Sequence, residues 1–198
     1  MKLSLSKNLL PFLAASTLML TTQADAAPVS DGARTGLTAA LNGEAYAYTR
    51  YRALARQAQN SGAVELAHWL EAEASDEAEA HFLPLAERLG DSRVAAEQQL
   101  MTLEQTFTAA AAADAQSVFG ATATEAHPLT RPAQRVAAAL RAEHQEYGRT
   151  YRRFAERAVN EGDAESAALL QAVAAGEQAH YEGLAHLGDV QQPIRGAR

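Results

Sequence analysis

Two stretches of the chain match each other at an offset of 100 residues, and no other feature narrows the possible folds as far. The matched positions are Tyr51/Tyr151, Arg52/Arg152, Ala55/Ala155, Ala58/Ala158, Asn60/Asn160, Gly62/Gly162, Glu65/Glu165, Ala67/Ala167, Leu70/Leu170, Ala72/Ala172, Ala74/Ala174 and Glu77/Glu177. Alanine-rich segments match easily by chance, but shared Tyr, Asn-x-Gly and Glu positions do not. The repeat therefore predicts two copies of one structural unit.

Each copy reads as a helical hairpin, because apolar residues recur every three or four positions. The predicted helices run from near Ser30 to Asn60, from there to Gly90, from about Val136 to Asn160, and from about Asp163 to Leu187. Pro84 falls inside the second helix, where we expect a kink or a local break. Two antiparallel hairpins joined by a long connection form an all-α four-helix bundle.

The connection between the hairpins has two parts. Residues 92–118 are predicted to form a crossover helix without chemistry of its own. Residues 119–132 are rich in Gly, Thr and Pro and are predicted to complete the link. The polar residues 189–198 are expected to form a flexible tail, so that the folded domain covers residues 27–188.

Glutamates interrupt the apolar faces of all four bundle helices. They are Glu44, Glu77, Glu143, Glu146 and Glu177, and Glu177 is followed at i+3 by His180 on the same helical face. Buried carboxylates repel each other and are costly to desolvate, and no lysine lies on these faces. Two metal ions would compensate the charge. Carboxylate and imidazole ligands without thiolate suit non-haem iron or manganese.

The repeat breaks at two places, both next to these glutamates. At offset 100, Glu44 pairs with His144 rather than Glu143, and one extra residue separates Glu143 from Tyr151. A π-bulge in the third helix is the expected way to absorb such an insertion. In the second helix, Ala80 stands where the repeat predicts a histidine, and His81 follows one place later. We expect His81 to reach the site through a bulge, or through relaxation before Pro84; the alternative is a histidine at the edge of the apolar face.

Charge and cysteine content exclude several classes of protein. The net charge is −7 without a large basic block, which argues against nucleic acid as a partner. The chain has no cysteine, which excludes disulfides, thiolate nucleophiles and iron–sulfur or rubredoxin-type sites.

The first 26 residues are predicted to be a secretory signal peptide. Lys2 and Lys7 precede a short apolar run, and Ala24-Asp25-Ala26 supplies a small-x-small cleavage pattern. The alternative is a retained membrane anchor. Cleavage would leave a mature periplasmic protein without a membrane span.

Several of these residues resemble the di-iron domain of the rubrerythrin family, in the ferritin-like superfamily. The resemblance spans about residues 35–187 and rests on Gly43-Glu44, Glu143-x-x-Glu146 followed by Tyr147, and Glu177-x-x-His180. It implies a ferritin-like bundle with metal ligands at Glu44, Glu77, Glu143, Glu146, Glu177 and His180, joined by His81 if that residue replaces the family's first-half histidine. It also implies that Tyr51 and Tyr151 hydrogen-bond ligand carboxylates. The family's rubredoxin domain is missing from the pattern.

The resemblance implies a function as well. We expect a di-iron peroxidase that reduces hydrogen peroxide to water, takes electrons from an unidentified external donor, and forms a homodimer. An iron-binding or storage protein without useful turnover is the main alternative, which a large multi-subunit shell would favour. A helical interaction module with a vestigial site and a manganese catalase-like reaction are further alternatives.

Overall fold

Long helices account for nearly all of the described chain. The computed structural model describes residues 28–120 and 132–190, and side chains as far as residue 184. The elements are α1 (Asp31–Asn60), α2 (Val64–Asp76), a π-helical segment (Glu77–Phe82), α3 (Leu83–Leu89), α4 (Arg93–Gly120), α5 (Pro132–Asn160) and α6 (Ala164–Val190). No strand occurs in these ranges, and the predicted all-α, ferritin-like fold class is confirmed.

The two hairpin turns repeat one another in backbone conformation. Gly62 and Gly162 have φ angles of +78° and +77°, a left-handed conformation that glycine adopts without steric cost. The matched backbone hydrogen bonds, both 2.9 Å long, are Ala63 N–H to Ala58 O and Asp163 N–H to Ala158 O. The duplication seen in the sequence therefore extends to the turns that close each hairpin.

The second bundle helix is broken where Pro84 predicts a break. The helix changes to π geometry over Glu77–Phe82, and the amide of Leu83 donates to the carbonyl of Ala78, five residues back. Pro84 lies in the first turn of α3, directly after the π segment, and has no N–H to donate to a carbonyl of the preceding turn. The wider π turn and the proline therefore occur together.

The crossover helix α4 is tied to α1 by charge as well as by packing. Ala96, Leu100, Ala111 and Ala115 are its buried residues. Arg50 Nε lies 2.6 Å from Asp114 Oδ2, and Arg50 itself is buried. A buried guanidinium needs such a partner because an unpaired charge is costly away from water.

Two apolar clusters fill the bundle, and buried ionisable side chains lie between them on α1, the π segment, α5 and α6. The first includes Tyr51, Leu54, Leu66, Leu70, Val136, Leu140 and Leu184. The second includes Leu37, Leu41, Phe82, Leu85, Tyr151, Leu170 and Val173. In α1, Glu44 lies between residues of the two clusters, and in α6, Glu177 and His180 do so. The fold thus surrounds a set of ionisable side chains with apolar packing on both sides.

Some predictions fall on residues outside the described ranges. Among these are the signal peptide at 1–26 and, in the second part of the connection, residues 121–131. The helix α6 extends to Val190, three residues past its predicted end at Leu187 and into the predicted tail. The rest of that tail, residues 191–198, also lies outside the described ranges. Among the described helices, none has the length and apolar character that crossing a bilayer requires.

Candidate metal centre

Six ionisable side chains are buried together in the polar layer. None is more than 6% exposed, and they come from α1, the π segment, α5 and α6: Glu44, Glu77, His81, His144, Glu177 and His180. Acidic residues are almost never buried this completely unless they are paired or bind a metal. We refer to these six residues as the polar layer.

One part of the polar layer gathers three carboxylates and an imidazole. Glu44, Glu77, His81 and Glu177 offer ligand atoms that all lie within 4.8 Å of one another. His81 Nδ1 lies 2.9 Å from Glu77 Oε2 and 3.2 Å from Glu44 Oε2. These distances place one nitrogen and several oxygens around a common point.

The other part of the layer shares Glu77 and adds two imidazoles. Glu77, His144 and His180 also offer ligand atoms within 4.8 Å of one another. His180 Nδ1 lies 2.9 Å from Glu77 Oε1, whereas His81 faces the other oxygen of the same carboxylate. Glu77 therefore presents one oxygen to each part of the layer, as a carboxylate that contacts two ions must.

The π segment explains how His81 reaches the layer. On a regular helix a residue at i+4 is rotated past the one at i, whereas the wider π turn brings Glu77 and His81 nearly into line. His81 is 3% exposed and contacts Glu77 directly. The prediction that a bulge carries His81 inward is confirmed, although its role as a ligand stays a prediction.

The third bundle helix differs from the prediction. It is α-helical throughout Pro132–Asn160, so the expected π-bulge is not there. Glu146 is exposed, and Glu143 is partly exposed and pairs with the guanidinium of Arg50 rather than entering the layer. The prediction that Glu143 and Glu146 face the interior of the bundle is therefore wrong. Because the extra residue is not absorbed locally, the register in α5 presents His144 instead, the residue at an offset of 100 from Glu44.

His144 is the residue of the layer that the proposed ligand set did not contain. Its Nδ1 lies 2.5 Å from Glu177 Oε2, and its Nε2 lies 2.8 Å from the hydroxyl of Tyr51. Both ring nitrogens are thus engaged, one with a carboxylate of the layer and one with a phenol behind it.

Tyr51 does not contact a carboxylate as the resemblance implied, whereas Tyr151 lies beside the carboxylate of Glu44. Tyr51 bonds to an imidazole, that of His144. The buried hydroxyl of Tyr151 has no hydrogen-bond partner among the described residues. It lies against Gly43, where an added Cβ would come within 2.4 Å of it. Burial and then the negative charge of Glu44 raise the pKa of Tyr151, which keeps this phenol protonated.

The histidines supply counter-charge within the layer itself. Burial alone would lower the pKa of His81, but the carboxylates of Glu44 and Glu77 outweigh it and raise the pKa to about 10. Burial is likewise outweighed at His180, whose pKa rises to about 9 beside Glu77. Two protonated imidazoles therefore balance part of the negative charge of the carboxylates when no ion is bound.

The remaining groups of the layer are held closer to neutrality. Burial, then the charge of Glu77, raises the pKa of Glu44 to about 7. Burial and the charges of Glu44 and Glu77 raise the pKa of Glu177. Burial lowers the pKa of His144 to about 4, so its imidazole is neutral near pH 7. A neutral imidazole is the form that binds metal ions.

The residues of the layer fit a pair of metal ions. Glu44 Oε1 and Glu177 Oε1 are buried and have no hydrogen-bond partner among the described residues, so their lone pairs are available. The donors are oxygen and imidazole nitrogen without sulfur, the set expected for non-haem iron and manganese. Glu44, Glu77, His81 and Glu177 could hold one ion, and Glu77, Glu177, His144 and His180 the other.

Comparison with known proteins identifies the family. The rubrerythrin family model matches residues 36–188, which include all six residues of the polar layer. No curated protein and no solved structure matches the chain. The match includes no rubredoxin domain, and members of this family bind a di-iron centre. The chain therefore belongs to the rubrerythrin family of non-haem di-iron proteins, whose domain is a ferritin-like helical bundle.

Proposed function

We propose that this protein is a peroxidase that reduces hydrogen peroxide to water at a pair of iron ions held in the polar layer. The observation that supports it best is the convergence of three buried carboxylates and three buried imidazoles on one another between two apolar clusters. Such a donor set, closed off by apolar packing, is suited to metal-assisted redox chemistry rather than to binding a large ligand.

The reaction needs two electrons and two protons for each peroxide, which gives two waters. When bound, two ferrous ions would supply the two electrons, and an external electron donor would be needed to restore the ferrous state. Glu77 and Glu177 contact residues in both parts of the layer, and so would fix the separation of the two ions.

His180 links the layer to the surface. Its Nδ1 faces Glu77, while its Nε2 lies 3.0 Å from Asp76 Oδ2 and 3.5 Å from Glu73 Oε2. The side chain of Asp76 is 56% exposed. We propose that Asp76 holds the Nε2–H of His180, which orients the ring as carboxylates behind metal-bound histidines do. It also places an exchangeable proton between solvent and the layer.

We propose further that the protein acts in the periplasm. This rests on Lys2, Lys7, the short apolar run and the Ala24-Asp25-Ala26 pattern. Mass spectrometry of the secreted protein tests it, because cleavage after Ala26 gives a mature chain that begins at Ala27. A chain that retains residues 1–26 would contradict the proposal.

The test of the peroxidase proposal compares two glutamate variants of the iron-loaded, reduced protein. Glu177→Ala removes a carboxylate of the layer and should lose bound iron and peroxide consumption together. Glu146→Gln is the matched control, because Glu146 is exposed on α5 and should leave both unchanged. Consumption that survives Glu177→Ala would contradict the proposed site. Iron retention without peroxide consumption in the wild-type protein would instead favour a binding or storage role. Gel filtration then distinguishes the homodimer that we propose from the large shell that storage requires.

A further inference from the structure

We propose that His144 is a metal ligand through Nδ1, and that the resulting set of three carboxylates and three imidazoles holds the ion pair in the divalent state. This inference rests on the metal-binding part of the proposed function, but not on peroxide as the substrate. It begins from a pattern that the three histidines share.

All three imidazoles present the same nitrogen to the layer. Nδ1 of His81 faces Glu77 Oε2, Nδ1 of His180 faces Glu77 Oε1, and Nδ1 of His144 faces Glu177 Oε2, at 2.9, 2.9 and 2.5 Å. The Nε2 atoms of His144 and His180 instead engage Tyr51 and Asp76. A histidine ligand is oriented in this way, with one nitrogen on the metal and the other donating to a fixed partner.

The repeat gives His144 a defined place in the layer. Glu44 and His144 are related by the offset of 100, as are Glu77 and Glu177, while His81 and His180 are related by 99. Each half of the bundle therefore contributes one residue from its first helix and a glutamate and a histidine from its second. His144 occupies the position in the second half that Glu44 occupies in the first.

The alternative ligand in α5 is held elsewhere. Glu143 pairs with Arg50, a buried guanidinium that Asp114 also contacts. Releasing Glu143 would leave that guanidinium short of a carboxylate away from water, which is costly. Glu146 is exposed, so neither glutamate competes with His144 in this arrangement.

The identity of this ligand changes the charge of the site. Glu44, Glu77 and Glu177 contribute three negative charges, and neutral imidazoles contribute none. Two divalent ions would then leave a net charge of +1, whereas two trivalent ions would leave +3. With Glu143 and Glu146 in place of His144, the site would have five carboxylates. Its net charge would then be −1 with two divalent ions and +1 with two trivalent ions. Because net charge is costly in a buried site, the set that contains His144 favours the divalent pair.

The first experiment uses Co²⁺ added to the full chain after metal removal. Bound Co²⁺ shifts the N–H proton signals of its histidine ligands far from the normal range in nuclear magnetic resonance spectra. We expect three such signals and two ions per chain in the wild-type protein. Two shifted signals that both persist in His144→Gln would overturn the assignment of His144.

Variants assign the third signal. His144→Gln should lose one shifted signal and bind the second ion at least tenfold more weakly. Glu143→Gln is the matched control from the adjacent position and should keep three signals and two ions. Loss of a signal from Glu143→Gln, with none lost from His144→Gln, would contradict the proposal. Circular dichroism shows whether each variant keeps its helical content.

The effect of ligand charge on the ion pair can be measured as a midpoint potential. His144→Glu adds a carboxylate at the same position, so the midpoint potential of the iron-loaded protein should fall relative to wild type. An unchanged or higher potential would overturn the preference for divalent ions. Three shifted signals without peroxide turnover would count against the peroxidase alone, whereas turnover with signals that His144→Gln leaves unchanged would count against this inference alone.

Discussion

The imidazole of His81 occupies the space that a side chain at Gly176 would fill. A Cβ built on Gly176 would lie 2.1 Å from His81 Nε2 and 2.7 Å from Cε1. The π segment and the glycine are thus complementary: one turns the histidine inward, and the other leaves room for its outer edge. In the first half, residue 76 takes the place of Gly176, and there Asp76 contacts His180.

Gly176→Ala should therefore displace His81 and weaken metal binding. A separation of 2.1 Å cannot be accommodated without moving the ring, and His81 Nδ1 would move away from Glu77. We expect the loss of about one of the two ions, measured as metal per chain after loading and desalting. Gly183→Ala on the same helix is the control, because nothing lies within 4 Å of a Cβ there. That variant should bind normally and be stabilised by about 1 kcal/mol. Equal metal content in the two variants would contradict the account.

The two related tyrosines should respond differently to loss of their hydroxyl groups. Tyr51→Phe removes the partner of His144 Nε2, and an unsatisfied buried group costs about 1–3 kcal/mol of unfolding free energy. Tyr151→Phe removes a buried hydroxyl without a hydrogen-bond partner among the described residues, so it should cost less than Tyr51→Phe. Urea unfolding of chelator-treated protein measures both. A larger cost for Tyr151→Phe would show that the roles are reversed.

Metal binding should release protons. Near pH 7.5 the pKa values of about 10 for His81 and about 9 for His180 leave both imidazoles charged, and each must lose its proton to bind an ion. Apparent affinity should therefore rise with pH up to that range and fall in acid. Titration calorimetry in buffers of different ionisation enthalpy should give at least two protons per ion pair, and about one fewer in His81→Gln. Binding without proton release would contradict the charge state described for the layer.

Asp163 should contribute stability that depends on pH. It accepts from the amides of Ser30 and Ser166 and from the guanidinium of Arg88, and so joins α1, α3 and the start of α6. Burial opposes its charge, but the hydrogen bonds from Ser166 and Ser30 outweigh burial and lower its pKa to about 2 from 3.8. Since the folded-state pKa is the lower one, this stability is fully present above pH 3.8 and is lost as the pH falls towards about 2.

Two variants test that contribution by thermal unfolding across this pH range. Asp163→Ala should lose about 1–3 kcal/mol at pH 7, because it removes a cap and a buried ion pair together. Asp163→Asn keeps a capping oxygen without the charge, so its stability should change less with pH than that of the wild type. A wild-type dependence retained in Asp163→Asn would assign the effect to another group.

Much of the fold and most of the polar layer could be predicted from the sequence. Apolar periodicity and the repeat located the helices, and polar residues on otherwise apolar faces identified Glu44, Glu77, Glu177 and His180. The inward orientation of His81 could not be predicted from periodicity alone, because it depends on a π turn that periodicity does not fix. The Ala80 position and the change of offset from 100 to 99 were the signals that indicated it.

The third bundle helix shows where sequence reasoning failed. One residue of rotation about a helix axis is about 100°, so Glu143 and His144 point in clearly different directions. The resemblance favoured Glu143 and Glu146, whereas the repeat favoured His144. What decides between them is Arg50, a long-range partner that no local pattern identifies. A buried arginine on α1 and a carboxylate on α5 meet only once the bundle is assembled.

The most direct test of the metal pair is a crystal structure of the protein loaded with Mn²⁺ or Fe²⁺, with anomalous scattering recorded at the metal edge. The account predicts two anomalous peaks per chain, both among the carboxylates and Nδ1 atoms of the polar layer. A single peak, or peaks beside Glu143 and Glu146 with His144 unligated, would contradict it.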